Sequence, residues 1–244
     1  MLLSLEMPTG MLELVSPLTD FDFALTHLIL ADEEYRKYYK EAGNFLILDN
    51  SVNEVGTPTT IRELEEAASY VDPDVICPPD FLLDADKTLD ALEDAVDVFE
   101  KEKLLPILQG DNYNVAIDCA WEIKKMGFSK IAIPYSITKD RKADKREDMA
   151  EARYNIINTI HVLFDWVHLL GVTTLNELGS YGDAPNVSTL DTGLPITAAL
   201  KGYGLADNEL HPKNEKLEYD SDITPAACSL AFYNIAYLRT IIVQ

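Results

Sequence analysis

Short continuous apolar runs alternate along this chain with longer stretches in which apolar residues recur every three or four positions. The short runs are LELVS (12–16), FLILD (45–49), DVICP (74–78), LLPILQ (104–109), KIAIPY (130–135), WVHLLG (166–171) and VSTLD (187–191). Most are apolar throughout rather than alternating, the mark of parallel strands covered on both faces. The longer stretches predict helices. Residues 60–71 open on Thr60 with Glu63 three positions on, a capping-box pattern. Residues 85–102 set Leu89, Leu92, Val96 and Phe99 at helical spacing, with acids on the other face. Residues 112–126 behave alike, as do 146–163 through Met149, Ala152, Ile156, Ile160 and Leu163. A last helix over 224–242 carries Ala227, Leu230, Ala231, Ile235 and Leu238.

Seven β-then-α units are visible, and an eighth strand is sought in 205–220, at KLEY (216–219). Such a series predicts an α/β fold, a (β/α)8 TIM barrel in a single domain over 1–244, with a doubly wound sheet as the alternative. No linker or composition break divides the chain, and the irregular stretch 204–222 reads as a surface insertion.

Composition narrows this picture. At 244 residues and 47% hydrophobic, the chain can build a sizeable core, and disorder is not expected. No apolar run approaches the roughly 20 residues that span a bilayer. The opening MLLSLEMPTG has no basic region and no long apolar region, so no signal peptide is expected and a cytoplasmic protein is. Cys77, Cys119 and Cys228 are scattered and odd in number, without zinc-ligand spacing, and read as buried free thiols. The net charge of −22 repels polyanions at long range and counts against a broad nucleic-acid surface. It leaves room for a local patch. KDRKADKR (139–146) holds Lys139, Arg141, Lys142, Lys145 and Arg146, five of the twenty basic residues. The patch reads either as the solvated start of a helix or as a phosphate contact.

In a barrel the chemistry sits at the C-terminal ends of the strands. Those ends read Asp49-Asn50, Pro78-Pro79-Asp80, Gln109-Gly110, Pro134-Tyr135-Ser136, His168 through Gly171, and Asp191-Thr192-Gly193. Taken singly, each has an ordinary role: Asp and Asn cap helices and make turns, and His168 inside an apolar run fits a satisfied core histidine. Taken jointly, three carboxylates and an amide converge on one mouth. Two carboxylates across a pocket suit glycosyl transfer. A third acid with an amide suits the edge of a nucleobase. No Walker or Rossmann phosphate loop is present, and no cofactor is implied.

FLILDNS, DVICPPDFLLDADKT, PILQG, KIAIPYS, VHLLGV and VSTLDTGLP are similar, in order, to the tRNA-guanine transglycosylase superfamily. The resemblance covers roughly residues 44–195 and is closest to its short phage-type members, the DNA deazaguanine transglycosylases. It implies a (β/α)8 barrel that exchanges guanine in a nucleic acid for a 7-deazaguanine base such as preQ0 or preQ1. It makes Asp191 the nucleophile at C1′ and Asp49 the general acid/base. Asp80, Gln109 and Gly110 would read the base, beside Asn50. Ile133 and Pro134 would add backbone contacts, and His168, Leu169 and Gly171 a pocket wall. The clustered cysteines and downstream histidine of the tRNA enzymes' zinc subdomain are absent, which favours DNA, or some smaller substrate, with the same chemistry on tRNA or a free nucleoside as the alternative. The chain also has AIPYS where the family is Gly-rich, and DNS without the usual Gly continuation. From another class comes an idle barrel that binds a modified base or a partner enzyme. Acidity makes a helper protein a further expectation, in the host cytoplasm if the protein is phage-encoded.

Overall fold

The computed structural model describes residues 1–137, 146–181, 186–207 and 217–242. They contain seven strands: β1 Leu2–Leu5, β2 Asp22–Leu25, β3 Leu46–Asp49, β4 Val75–Ile76, β5 Lys130–Pro134, β6 Trp166–Leu170 and β7 Val187–Thr192. The helices in chain order are α1 Leu12–Val15, α2 Thr26–Ala31, α3 Glu33–Ala42, α4 Val52–Val55, α5 Ile61–Val71 and α6 Ala85–Val96. They continue with α7 Tyr113–Lys125, α8 Arg146–Ile160, α9 Leu175–Ser180, α10 Leu194–Leu200 and α11 Pro225–Ile242. The protein is therefore a mixed α/β fold. Its strands form two parallel sheets, in the orders β1-β7-β6-β5 and β2-β3-β4.

Single bridges continue the pairing beyond these sheets. Ile76 pairs with Leu104 and Ile107 with Ala132, so residues 104–107 lie between β4 and β5. Pro106 has no N–H to give, which interrupts the ladder there. The segment read from the sequence as the strand 104–109 is therefore two isolated bridges. At the other edges, the Asp20 N–H donates to the Leu3 carbonyl at 2.8 Å, beside the entry to β2.

Strand residues divide between two apolar clusters with a period of two. Leu46, Leu48, Ile76, Ile131, Ile133, Val167 and Leu169 face the helices. Phe23, Leu25, Ile47, Val75 and Ala132 pack on one another in a second, inner cluster. Burial on both faces is why these segments read as unbroken apolar runs. It also fixes where the chemistry points. Asp49 follows Ile47 by two residues and shares its inner face, as Pro134 does after Ala132.

Several expectations are corrected. Residues 12–16 are not a strand: Leu12 and Val15, three apart, are buried while Glu13 and Leu14 are exposed, and the segment coils as α1. β1 and β2 stand where no strand was expected. Residues 217–219 form no strand, and Lys216 of KLEY lies outside the described residues. The capping box is present, with Glu63 N donating to Thr60 Oγ1 at 3.2 Å and Thr60 N to Glu63 Oε2 at 2.9 Å. Among the described residues no helix is long and apolar enough to cross a membrane.

Candidate active site

A cavity of about 490 Å³, solvent mouth included, opens where β1, β3, β5, β6 and β7 end. Phe23, Leu25, Val52, Leu82, Pro134 and Leu170 give it apolar walls. Five acids line it: Asp49, Asp80 and Asp191, which the sequence singled out, and Glu6 and Glu54, which it did not.

Asp191 sits on β7, buried, and is gripped from behind. The Gly171 N–H is 3.1 Å from both carboxylate oxygens, and His168 Nε2 is 3.0 Å from Oδ1. Gly171 has φ +67°, the left-handed region that glycine reaches without strain, and this turns its N–H onto the carboxylate. A relay fixes the imidazole. Trp166 Nε1, which can only donate, is 2.7 Å from Thr189 Oγ1. The threonine Oγ1 lies 2.9 Å from His168 Nδ1, and this contact holds the ring with Nε2 turned to Asp191. His168 also stacks on Phe23, centroids 5.8 Å apart and planes 20° apart. It is a satisfied core histidine and the orienter of Asp191 at once.

Asp49, 5% exposed at the end of β3, is held differently. Its Oδ2 accepts from Ser51 N at 2.7 Å, while its buried Oδ1 has no hydrogen-bond partner. Burial, with the charges of Glu54, Asp80 and Asp191 added, pushes this carboxyl well above the usual range. It is a carboxyl biased toward its protonated form, with an unpartnered oxygen at the cavity wall.

Asp80 is pushed up to about 6 by burial, an effect that two amides oppose. Asn50 Nδ2 donates to Oδ1 at 2.8 Å, and Gln109 Nε2 donates to Oδ2. Gln109 Oε1 is taken by Leu83 N at 2.9 Å, and Asn50 Oδ1 by Val52 N at 2.9 Å. These two residues thus hold Asp80 in place, although Gln109 also lines the cavity.

Gly110, Ile133 and Leu169 are not among the cavity-lining residues. Gly110 has a packing reason: a Cβ there would stand 2.6 Å from the backbone nitrogen of Ala116 in α7. The Ile133 carbonyl accepts from Arg153 Nη1 at 3.1 Å, and Leu169 is core. Arg153 itself is a residue behind the site that sequence reasoning missed. It is fully buried, paired with Glu177, and its Nη1 also reaches the Leu170 carbonyl at 2.9 Å. The clamp fixes the ends of β5 and β6, next to Gly171.

Of the basic patch, Lys139, Arg141, Lys142 and Lys145 lie outside the described residues, and Arg146 opens α8. Ser136, at the cavity, precedes the patch by three positions. The cysteines are free, and burial pushes the Cys77 thiol well up and the Cys119 thiol to about 11, away from reactive thiolates. Among the described residues no group of His, Cys, Asp and Glu is arranged to hold a metal ion. No protein-family model and no curated protein matches the chain.

Proposed function

We propose that this protein is a transglycosylase that exchanges guanine in DNA for a 7-deazaguanine base through an aspartyl–glycosyl intermediate. The observation that carries the reading is the contrast between two carboxyls at one cavity. Asp191 is oriented by a backbone N–H and a histidine, whereas Asp49 is buried among other acids, which raises its carboxyl, and has an unpartnered oxygen. Paired acids in opposed environments are the arrangement that divides nucleophile from acid in retaining glycosyl transfer. The fold reading agrees. The isolated bridges at 104–107 and the hydrogen bond from Asp20 to Leu3 lie between the edges of the two sheets, which supports reading them as one ring of eight parallel segments, a (β/α)8 barrel with the cavity at its C-terminal mouth.

In this reading the target nucleotide leaves the stack to enter the mouth. Asp191 attacks C1′, the C1′–N9 bond breaks, and its electron pair leaves with guanine, which takes a proton from Asp49. The incoming base returns that proton to Asp49 as its N9 attacks C1′. The C1′–oxygen bond then breaks and restores the Asp191 carboxylate. Two inversions give retention. Asp80, ionised above about pH 6, accepts from the N–H groups on the pyrimidine edge of the base. The patch at 139–146 would hold backbone phosphates. A cytoplasmic setting supplies both nucleic acid and free base.

Labelled-guanine exchange into DNA, tRNA and free nucleoside, run side by side, tests the assignment. Asp191→Asn is expected to abolish exchange while the circular dichroism spectrum is unchanged. Exchange by that variant at the wild-type rate would remove Asp191 from the mechanism. Exchange into tRNA or nucleoside but not DNA would move the substrate.

A further inference from the structure

Trp166 opens β6 at the end of that strand away from the cavity, and it is not among the cavity-lining residues. It is nevertheless tied to Asp191. Along β6, Trp166, His168 and Leu170 alternate onto the inner face, where Trp166 and Leu170 pack on the second apolar cluster and His168 on Phe23. On β7, Val187 and Leu190 both belong to the helix-facing cluster although they stand three apart, which regular alternation does not allow. A register shift accounts for it. Val167 pairs with Val187 but His168 with Thr189, so Ser188 is an extra residue. Such a bulge re-aims the side chains that follow it. Thr189 and Asp191 are thereby turned to the inner face beside His168. Three contacts then join into one chain: Trp166 Nε1 to Thr189 Oγ1 at 2.7 Å, Thr189 Oγ1 to His168 Nδ1 at 2.9 Å, and His168 Nε2 to Asp191 Oδ1 at 3.0 Å.

Resting on the transglycosylase reading, we propose that Trp166 is a positioning residue for Asp191, acting through the direction of the hydrogen bonds in this chain. Both ends of the chain are one-way: the indole N–H only donates, and an ionised carboxylate only accepts. Nε2 therefore carries a hydrogen toward Asp191. At the other end, the indole hydrogen occupies one lone pair of Thr189 Oγ1 and keeps the hydroxyl hydrogen from turning that way. The remaining contact of that hydroxyl among the described residues is His168 Nδ1, so it donates there, and Nδ1 presents its lone pair. No proton moves along the chain in either displacement. Nε2–H donates to the Asp191 anion before attack, to its ester oxygen in the intermediate, and to the anion again on release. Without the indole N–H, the hydroxyl can turn its hydrogen away and accept from Nδ1. The ring then holds two protons and grips Asp191 as an ion pair, which makes the carboxylate a weaker nucleophile.

The rings at both ends are held by packing. Phe45, just before β3, meets the indole edge-on with centroids 6.1 Å apart, and Lys130 Nζ, from the start of β5, stands over its face at 5.6 Å. Phe23 stacks on the imidazole, and Phe21 meets it edge-on at 6.1 Å. The phenyl groups fix orientation without offering a donor or acceptor to the chain, so the direction of its hydrogen bonds is left to Trp166 and Asp191.

Trp166→Phe removes the N–H and keeps an aromatic ring. Thr189→Val removes the hydroxyl at nearly the same volume. Nitrogen-15 NMR of histidine-labelled protein reads the His168 ring directly, its signals assigned by their loss in His168→Gln. In the wild type at pH 7, Nε2 is expected as the protonated nitrogen and Nδ1 as the bare one. In Trp166→Phe, Nδ1 should move toward the protonated position. Phe45→Leu, which loosens the same indole but keeps its N–H, should leave the His168 signals in place. In exchange assays on DNA, Trp166→Phe and Thr189→Val should each lower kcat about 10-fold, the worth of one hydrogen bond, with KM for DNA unchanged. If Trp166→Phe does not fold, Thr189→Val tests the same link, with Nδ1 expected to move to the position of a bare nitrogen that has lost its donor. A wild-type ring protonated at Nδ1 overturns the proposal. So do His168 signals and kcat that stay at wild-type values in the folded variants, or a shift in Phe45→Leu equal to that in Trp166→Phe. The expected signals without base exchange on any substrate overturn the transglycosylase reading, and with it the catalytic part of this one.

Discussion

Asp49 weakens the fold it sits in. Its carboxyl is raised above its unfolded value by burial and by neighbouring acids. Such a group leaves stability intact below the unfolded value and removes it as pH rises toward the folded one, because the folded state binds the proton more tightly. Asp80 acts with the same sign over a defined window, from about 4 to about 6, and roughly 3 kcal/mol is lost across it. Asp49→Asn keeps the bond from Ser51 N and fills the same space without a charge. It is expected to raise the melting temperature at pH 8, to give no gain at pH 4, and to abolish exchange. Thermal unfolding at the two pH values checks this, and a gain of equal size at both would show that Asp49 is not the titrating group. Opposite effects on stability and activity are what a functional carboxyl in an apolar wall should give.

At the scale of elements, the ends of β5 and β6 depend on one side chain from α8. Arg153 binds the carbonyls of Ile133 and Leu170 and pairs with Glu177 of α9, which also accepts from Tyr181 at 2.8 Å. Arg153→Met leaves Glu177 buried and unpaired, and should cost about 3–5 kcal/mol in denaturant unfolding. Adding Glu177→Leu should restore most of that stability but not exchange, because two carbonyls next to Gly171 still lack their donor. Recovery of both would reduce Arg153 to packing. This clamp was not legible in the sequence. Arg153 shares a helix face with Ile156, but a lone charge there reads as solvated, and its partner is 24 residues away. What was legible followed from physics that is local in sequence. The double-sided burial of 46–48 and 131–133 and the Thr60–Glu63 box need no distant partner. DFAL in β2 failed because it runs straight into the apolar α2, THLILA, without a turn signal. Three of the five cavity acids were found because they end apolar strands. Glu6 was lost because LLSL is short and stands at the start of the chain, and its partner Tyr219 follows 213 residues later.

At the scale of the whole molecule, the net charge of −22 and the proposed DNA substrate pull against one another. The two forces differ in range. Repulsion between the protein and DNA acts over the Debye length, about 30 Å at 0.01 M salt and about 10 Å at 0.1 M. The contacts proposed between the 139–146 patch and phosphates would act at close quarters and weaken as salt competes for the same charges. A DNA enzyme with a broad basic face loses activity at every increment of salt. Here repulsion is screened first, so exchange at subsaturating DNA should rise from about 0.01 M to about 0.1 M salt and fall beyond it. Replacing Lys139, Arg141, Lys142 and Lys145 by glutamine should lower the whole curve and flatten its falling limb, since fewer phosphate contacts remain to be lost. Binding of a neutral base in the cavity, followed by calorimetry over the same range, should hardly change. A monotonic fall of wild-type exchange would mean that the local patch outweighs the field of the whole chain even at low salt. A rise without a fall would mean that the patch touches no phosphate, and that a helper protein carries the DNA.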